Sequence, residues 1–211
     1  MSDGTRVEEA PFTVRDAKAM IKTGTLLENP ICHQTLGICS ALAVTGKLEN
    51  TIVMCIALLL VLTCSNVMVS FLRNQVPRKV RMIAEMAIIS TFVIAFDQVL
   101  KAYYYDMSKQ LGPYVGLIIT NCIVLGRAEA CALSSRPVKA FWDGIANGLG
   151  YSVILLSVSI VRELVGSGTL WGRPVLSDGY DPCQVMVQSA GAFFVLGVVL
   201  WIMKSLWPEK T

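Results

Sequence analysis

Two thiols stand in matching surroundings: Cys39 in "PICHQTLGICSAL" (30–42) and Cys122 in "PYVGLIITNCIVL" (113–125). At an offset of 83, Pro30 aligns with Pro113, Cys39 with Cys122 and Leu42 with Leu125. Thiolates are soft metal ligands, and a tetrahedral zinc or iron–sulfur site takes four soft ligands. The chain offers two that match, so such a site would need a second chain to complete it. The opposing reading leaves both as packed thiols in small-residue helix contacts; the residues alone leave that choice open. Cys32, Cys55, Cys64, Cys131 and Cys183 lack repeat partners, bring the total to an odd seven and form no C-x-x-C pair. They read as structural thiols, and a disulfide framework is not expected.

The elements that must position the pair are membrane helices. The chain has 211 residues, 54% of them hydrophobic and 16% charged, too apolar a balance for an ordinary water-soluble domain. Residues 50–72 and 182–203 carry no charge at all. Each run is long enough to cross a hydrocarbon core of roughly 30 Å, which takes about 20 helical residues. Charges divide the chain into six apolar blocks, at about 31–48, 50–72, 82–103, 112–132, 144–165 and 184–206. The stretch "GSGTLWGRPVLSDGYD" between the last two reads as an exposed loop. Residues 1–28 are polar, without the apolar core of a cleaved signal, and read as a cytoplasmic segment before one membrane domain over 29–208.

Orientation follows from the basic residues. With the N-terminus inside, the cytoplasmic side holds Arg6, Arg15, Lys18, Lys22, Arg73, Arg78, Lys79, Arg81, Arg136, Lys139, Lys204 and Lys210. The other side holds Lys47, Lys101, Lys109, Arg162 and Arg173. The excess of Lys and Arg puts both termini in the cytoplasm. Three helices per half is an odd number, so repeats over about 29–105 and 112–208 run in opposite orientations. The fold expected is therefore all-α: six transmembrane helices in two inverted three-helix repeats.

The first segment of each half is short and interrupted. Uncharged residues run only over 29–46 and 110–126, with Leu36-Gly37 and Thr120-Asn121 just before the thiols. Gly37, Thr120 and Asn121 are of types that end or cap helices. They predict broken helices whose second halves start near Cys39 and Cys122. Free N–H groups at a helix start favour a thiolate or another anionic ligand.

Other charged or polar residues inside the apolar blocks are candidates of a second rank. Asp97 and Asp143 are intramembrane acids and so candidates for an ion path. Their bland readings are an i,i+4 pair of Asp97 with Lys101, and Asp143 as a helix N-cap before "GIANGLG". Arg127, five residues past Cys122, is a candidate for tuning a bound group. Arg127 and Glu129 point to different faces and do not pair with each other. Glu85 is expected to snorkel among Arg78, Lys79 and Arg81. His33 and Gln34 are expected to satisfy freed backbone rather than bind metal.

The stretches "LGICSALAVTGKLE", "VSFLRNQVPRKVRMIAEMAIIS", "DQVLKAYYYD", "GLIITNCIVLGRAEACA", "DGIANGLGY" and "RELVGSGTLWG" resemble a known family in order and spacing. It comprises the paired D and E membrane subunits of the sodium-translocating NADH:quinone oxidoreductase, Nqr, and their counterparts in the Rnf complex. The resemblance covers about residues 28–208, and "DQVLKAYYYD" with the compact fifth loop looks more like the D branch of Nqr than its Rnf counterpart. It implies that D and E pair in inverted fashion and hold a membrane-embedded [2Fe–2S] cluster, two cysteines from each. The ligands carried over here are Cys39 and Cys122, with Gly37, Thr120, Asn121 and Arg127 around them. The cluster would relay electrons between flavin-bearing subunits toward ubiquinone while sodium leaves the cell.

The same resemblance implies the A, B, C and F subunits as further partners, with flavin and NADH bound by other chains. Membrane lipid surrounds such a chain, and nothing points to nucleic acid. On this reading the chain is part of an enzyme, not catalytic alone. Two other classes stay open: a secondary transporter, which inverted repeats and broken helices suit equally well, and an assembly protein without a cofactor. An Rnf-type subunit is the near alternative.

Overall fold

The fold is that of a computed structural model, and the structure describes residues 31, 36–73, 75–103, 105–133, 135–171, 173–174, 186 and 188–206. Pro30, Cys32, His33, Gln34, Cys183, the segment 1–28 and most of the loop before the last helix lie outside these residues. Apart from one two-rung hairpin, the regular structure among the described residues is helical. Its elements are α1 (Ile38–Val44), α2 (Leu48–Leu72), a short 3-10 turn (Arg78–Val80) and α3 (Arg81–Tyr103). Then come α4 (Tyr105–Ile119), α5 (Cys122–Arg127), a π turn (Ala128–Ala132), α6 (Pro137–Ser167) and α7 (Ser189–Leu206). Strands β1 (Thr169–Leu170) and β2 (Arg173–Pro174) form the antiparallel hairpin after α6, where the sequence predicts irregular loop.

Among the described residues, four stretches are long and apolar enough to cross a membrane: Leu48–Leu72, Arg81–Tyr103, Gly112–Ala132 and Pro137–Ser167. The apolar part of α7, Ser189–Ser205, is shorter. With no water in a bilayer core to take up N–H and C=O groups, such runs have no stable alternative to a helix. Phe193, Phe194 and Trp201 on α7, with Met82, Ile83 and Ile94 on α3, face outward. That surface suits hydrocarbon, not water.

α2 and α6 form the central pair. Gly144 and Gly148 lie one turn apart on α6 and let α2 approach closely: a Cβ on Gly144 would sit 3.0 Å from Thr63 Cα. This small-residue spacing replaces the hydrophobic drive that is missing between helices in lipid with close packing. Around the pair, Met54, Leu58, Ile123, Ile154 and Leu155 are fully or almost fully buried.

α6 departs from the expected start at 144. It begins seven residues earlier, at Pro137 in the first turn, where the missing N–H of proline leaves nothing unsatisfied. It ends at Gly168, whose left-handed φ of 65° lets its N–H reach Leu164 O at 3.2 Å. The 112–132 block is not one continuous α-helix either. α4 stops at Ile119, α5 starts at Cys122, and a π turn follows.

Candidate metal centre

Two interrupted segments meet at the thiols. Gly37 caps α1 with φ +86°, a left-handed conformation that costs a residue with a Cβ about 1–2 kcal/mol. Space repeats the demand, because a Cβ there would lie 2.7 Å from the Tyr151 ring and 3.2 Å from Ile123 Cδ1. In the other segment Asn121 is the N-cap of α5, its Oδ1 accepting the Ile123 N–H at 3.1 Å. The first α-helical residues are thus Ile38 and Cys122, so each thiol sits in the opening turn of a helix.

The turn at Gly37 joins the two. Its N–H donates to Cys122 Sγ at 2.8 Å, across 85 positions of sequence. Cys39 lies two residues past Gly37, so this bond sets the helix opening that carries Cys39 against the one that carries Cys122. Cys122 is half-buried and Cys39 exposed, so the pair is walled on one side and open on the other. Among the described residues no third His, Cys, Asp or Glu gathers with them. A two-thiol half-site with a backbone donor on one sulfur can hold half the ligand set of a tetrahedral centre, with the negative charge of its thiolate stabilised by that N–H.

Behind the thiols runs a buried polar network that sequence patterning does not reveal. Ser40, next to Cys39, donates to Gly37 O at 3.0 Å and meets Tyr151 OH at 2.5 Å. Asn121, next to Cys122, donates to Ser40 Oγ at 3.0 Å. Ser40, Asn121 and Tyr151 are wholly buried. The one available signal is Tyr151 itself, a hydroxyl-bearing aromatic in mid-span that must find a partner. Thr120, by contrast, is exposed and turns its hydroxyl back to Gly116 O at 3.3 Å, away from the pair.

Arg127 has a different task. Its Nε donates to Asp143 Oδ2 at 3.0 Å, and its second arm reaches Asp143 Oδ1, making a two-pronged pair between α5 and α6. Asn147 donates to the same Oδ1 at 3.1 Å. Asp143 is therefore not an N-cap. It lies in the second turn of α6 because Pro137, not Gly144, starts the helix. Both its oxygens are taken, and a cation would bind there only by displacing Arg127.

Glu129 pairs with Arg81 across to α3. Glu85 does not snorkel: it is 3% exposed, 3.8 Å from Arg81, with Oε1 lacking a hydrogen bond. It lines one pocket with Val69, Ile88 and Leu133, beside Arg73 and Arg81. Asp97 pairs with Lys101 at 2.5 Å. Cys55 and Cys131 are buried, and Cys64 is exposed on α2.

These elements make the chain a polytopic helical membrane protein with paired thiols at two helix breaks. Residues 17–200 match the Rnf-Nqr subunit family of membrane proteins, and the chain belongs to that family. It is 51% identical over 201 residues to a protein of Shewanella woodyi named as the D subunit of Na(+)-translocating NADH-quinone reductase, covering 93% of this chain and 96% of that one. Proteins of the same name from Shewanella halifaxensis and Shewanella baltica are 49% and 51% identical. Those matches cover 93% and 92% of this chain, and 96% and 97% of theirs.

Proposed function

We propose that this chain is the D-type membrane component of a sodium-translocating NADH:quinone reductase. In that role Cys39 and Cys122 supply two of the four thiolates of a [2Fe–2S] cluster, completed by an E-type homologue packed against it in inverted orientation. The observation that carries the reading is the Gly37 N–H on Cys122 Sγ, which sets the two helix openings against each other and supports reading their thiols as one half-site. The names and coverage of the Shewanella relatives support the assignment to the complex.

The proposal includes the topology: six segments in two inverted repeats, broken in the first and fourth, with both termini in the cytoplasm of a bacterial inner membrane. It includes the A, B, C and F subunits as the remaining partners, with NADH and flavins bound there. It retains Asp97 and Asp143 as ion-path candidates, Asp143 only in a state that frees it from Arg127.

When bound, the cluster supplies one-electron transfer. This chain's own residues supply the setting. The Gly37 N–H stabilises negative charge on sulfur, and Asn121 fixes the start of the helix that carries Cys122. Ile123, fully buried beside Gly37, helps to keep water out. Exposed Cys39 gives the partner its way in. Arg127 and Asp143 brace α5 against α6 one turn beyond Cys122.

The test is iron content. Complex purified with the E-type partner should carry the cluster's electron paramagnetic resonance signal, and complex assembled without that partner should lose it. Stoichiometric iron on this chain alone would contradict a shared site. A reporter fused after Thr211 should be active in its cytoplasmic form; activity of an exported reporter there would overturn the orientation.

A further inference from the structure

We propose that Tyr151 is a positioning residue for the thiol pair, setting the reduction potential of whatever the pair holds; this rests on the reading of Cys39 and Cys122 as ligands. The argument begins with donors and acceptors. A serine hydroxyl has one hydrogen and two lone pairs. The Ser40 hydrogen goes to Gly37 O at 3.0 Å. The 2.5 Å contact with Tyr151 is therefore donated by the tyrosine, and Asn121 Nδ2 fills the second lone pair at 3.0 Å. Every capacity of Ser40 is used.

Ser40 adjoins one thiol and Asn121 adjoins the other, while Tyr151 comes from α6. The network thus ties both helix openings to a third, rigid element. Tyr151 also acts through its ring, which lies where a Gly37 side chain would be. Ring and hydroxyl together fix the turn whose N–H reaches Cys122 Sγ at 2.8 Å. All three side chains are buried to 0% exposure, where a polar group that loses its partner is costly. Hydrogen bonds to ligand sulfurs are one determinant of cluster potential. A donor favours the more negatively charged, reduced state, so loosening Gly37 lowers the potential.

The experiment is a redox titration of the assembled complex carrying Tyr151→Phe, followed by electron paramagnetic resonance, with iron measured beside it. A second arm strips the iron with a chelator and times disulfide formation between Cys39 and Cys122 with diamide, which takes up two electrons and two protons as the sulfurs join. Tyr151→Phe should keep its iron, titrate at a more negative potential and close the disulfide several-fold more slowly. Wild-type potential and disulfide rate together would overturn the proposal while leaving the thiol reading intact. If Tyr151→Phe does not assemble, Ser40→Ala keeps the ring and must show the same shift; an unchanged potential there overturns the proposal too. If the wild-type signal does not depend on Cys39 and Cys122, the ligand reading fails instead, and with it the claim on potential.

Discussion

Cys122 and Cys131 lie on one segment, nine residues apart, and the backbone treats them differently. Cys122 opens a helix behind a capping asparagine, half-buried, with the Gly37 N–H directed at its sulfur. Cys131 lies inside the π turn, buried, with its thiol 3.6 Å from Ser135 Oγ. The first is aimed at a junction between segments; the second is absorbed into packing. On the proposed function, a break in the helix, not the presence of sulfur, is what would separate a ligand from a filler.

Cys39→Ala or Cys122→Ala should abolish NADH-driven quinone reduction by the complex. NADH oxidation by artificial acceptors at the peripheral subunit should survive, since that chemistry lies upstream. Residual quinone reduction above a few per cent would remove the contrast with Cys131.

Arg127→Ala should destabilise the protein by about 3–5 kcal/mol, the usual cost of stranding one partner of a buried ion pair. The side chains of Arg127 and Asp143 are 15% and 4% exposed, so solvent screens them little. The double substitution Arg127→Gln with Asp143→Asn should cost less than either single truncation, by thermal unfolding in detergent. Additive losses would mean that the two do not act as a pair.

Gly37→Ala combines a left-handed φ with a Cβ pressed on Tyr151, and should cost on the order of 3 kcal/mol. Unfolding of the variant complex measures it. A loss no larger than that of an alanine at Gly46, where a Cβ would meet open space, would show that the turn is not held as described.

How much of this is legible in the sequence depends on whether the signal is local. Gly37 and Asn121 announce their breaks by residue type, and the i,i+4 pairing of Asp97 with Lys101 follows from helical spacing alone. The start of α6 is obscured because Asp143 looks like a cap, although Pro137 carries the better signal for a first turn. The Arg127–Asp143 pair joins two helices across 16 positions of sequence, and the Ser40–Tyr151 bond spans 111. Neither leaves a trace in any periodic pattern. The burial of Glu85 escapes the sequence because basic residues close by in the chain look within reach, and the packing of Val69 and Leu133 is not written there.

Cys131→Ala should have the smallest effect, keeping iron and turnover with only a minor loss of packing. It is therefore the internal control for the deciding measurement: iron per complex and the [2Fe–2S] resonance in Cys39→Ala, Cys122→Ala and Cys131→Ala side by side. Iron and resonance should be lost in the first two and unchanged in the third. Retained resonance in Cys122→Ala, or equal loss in all three, would contradict the assignment of the thiol pair as ligands.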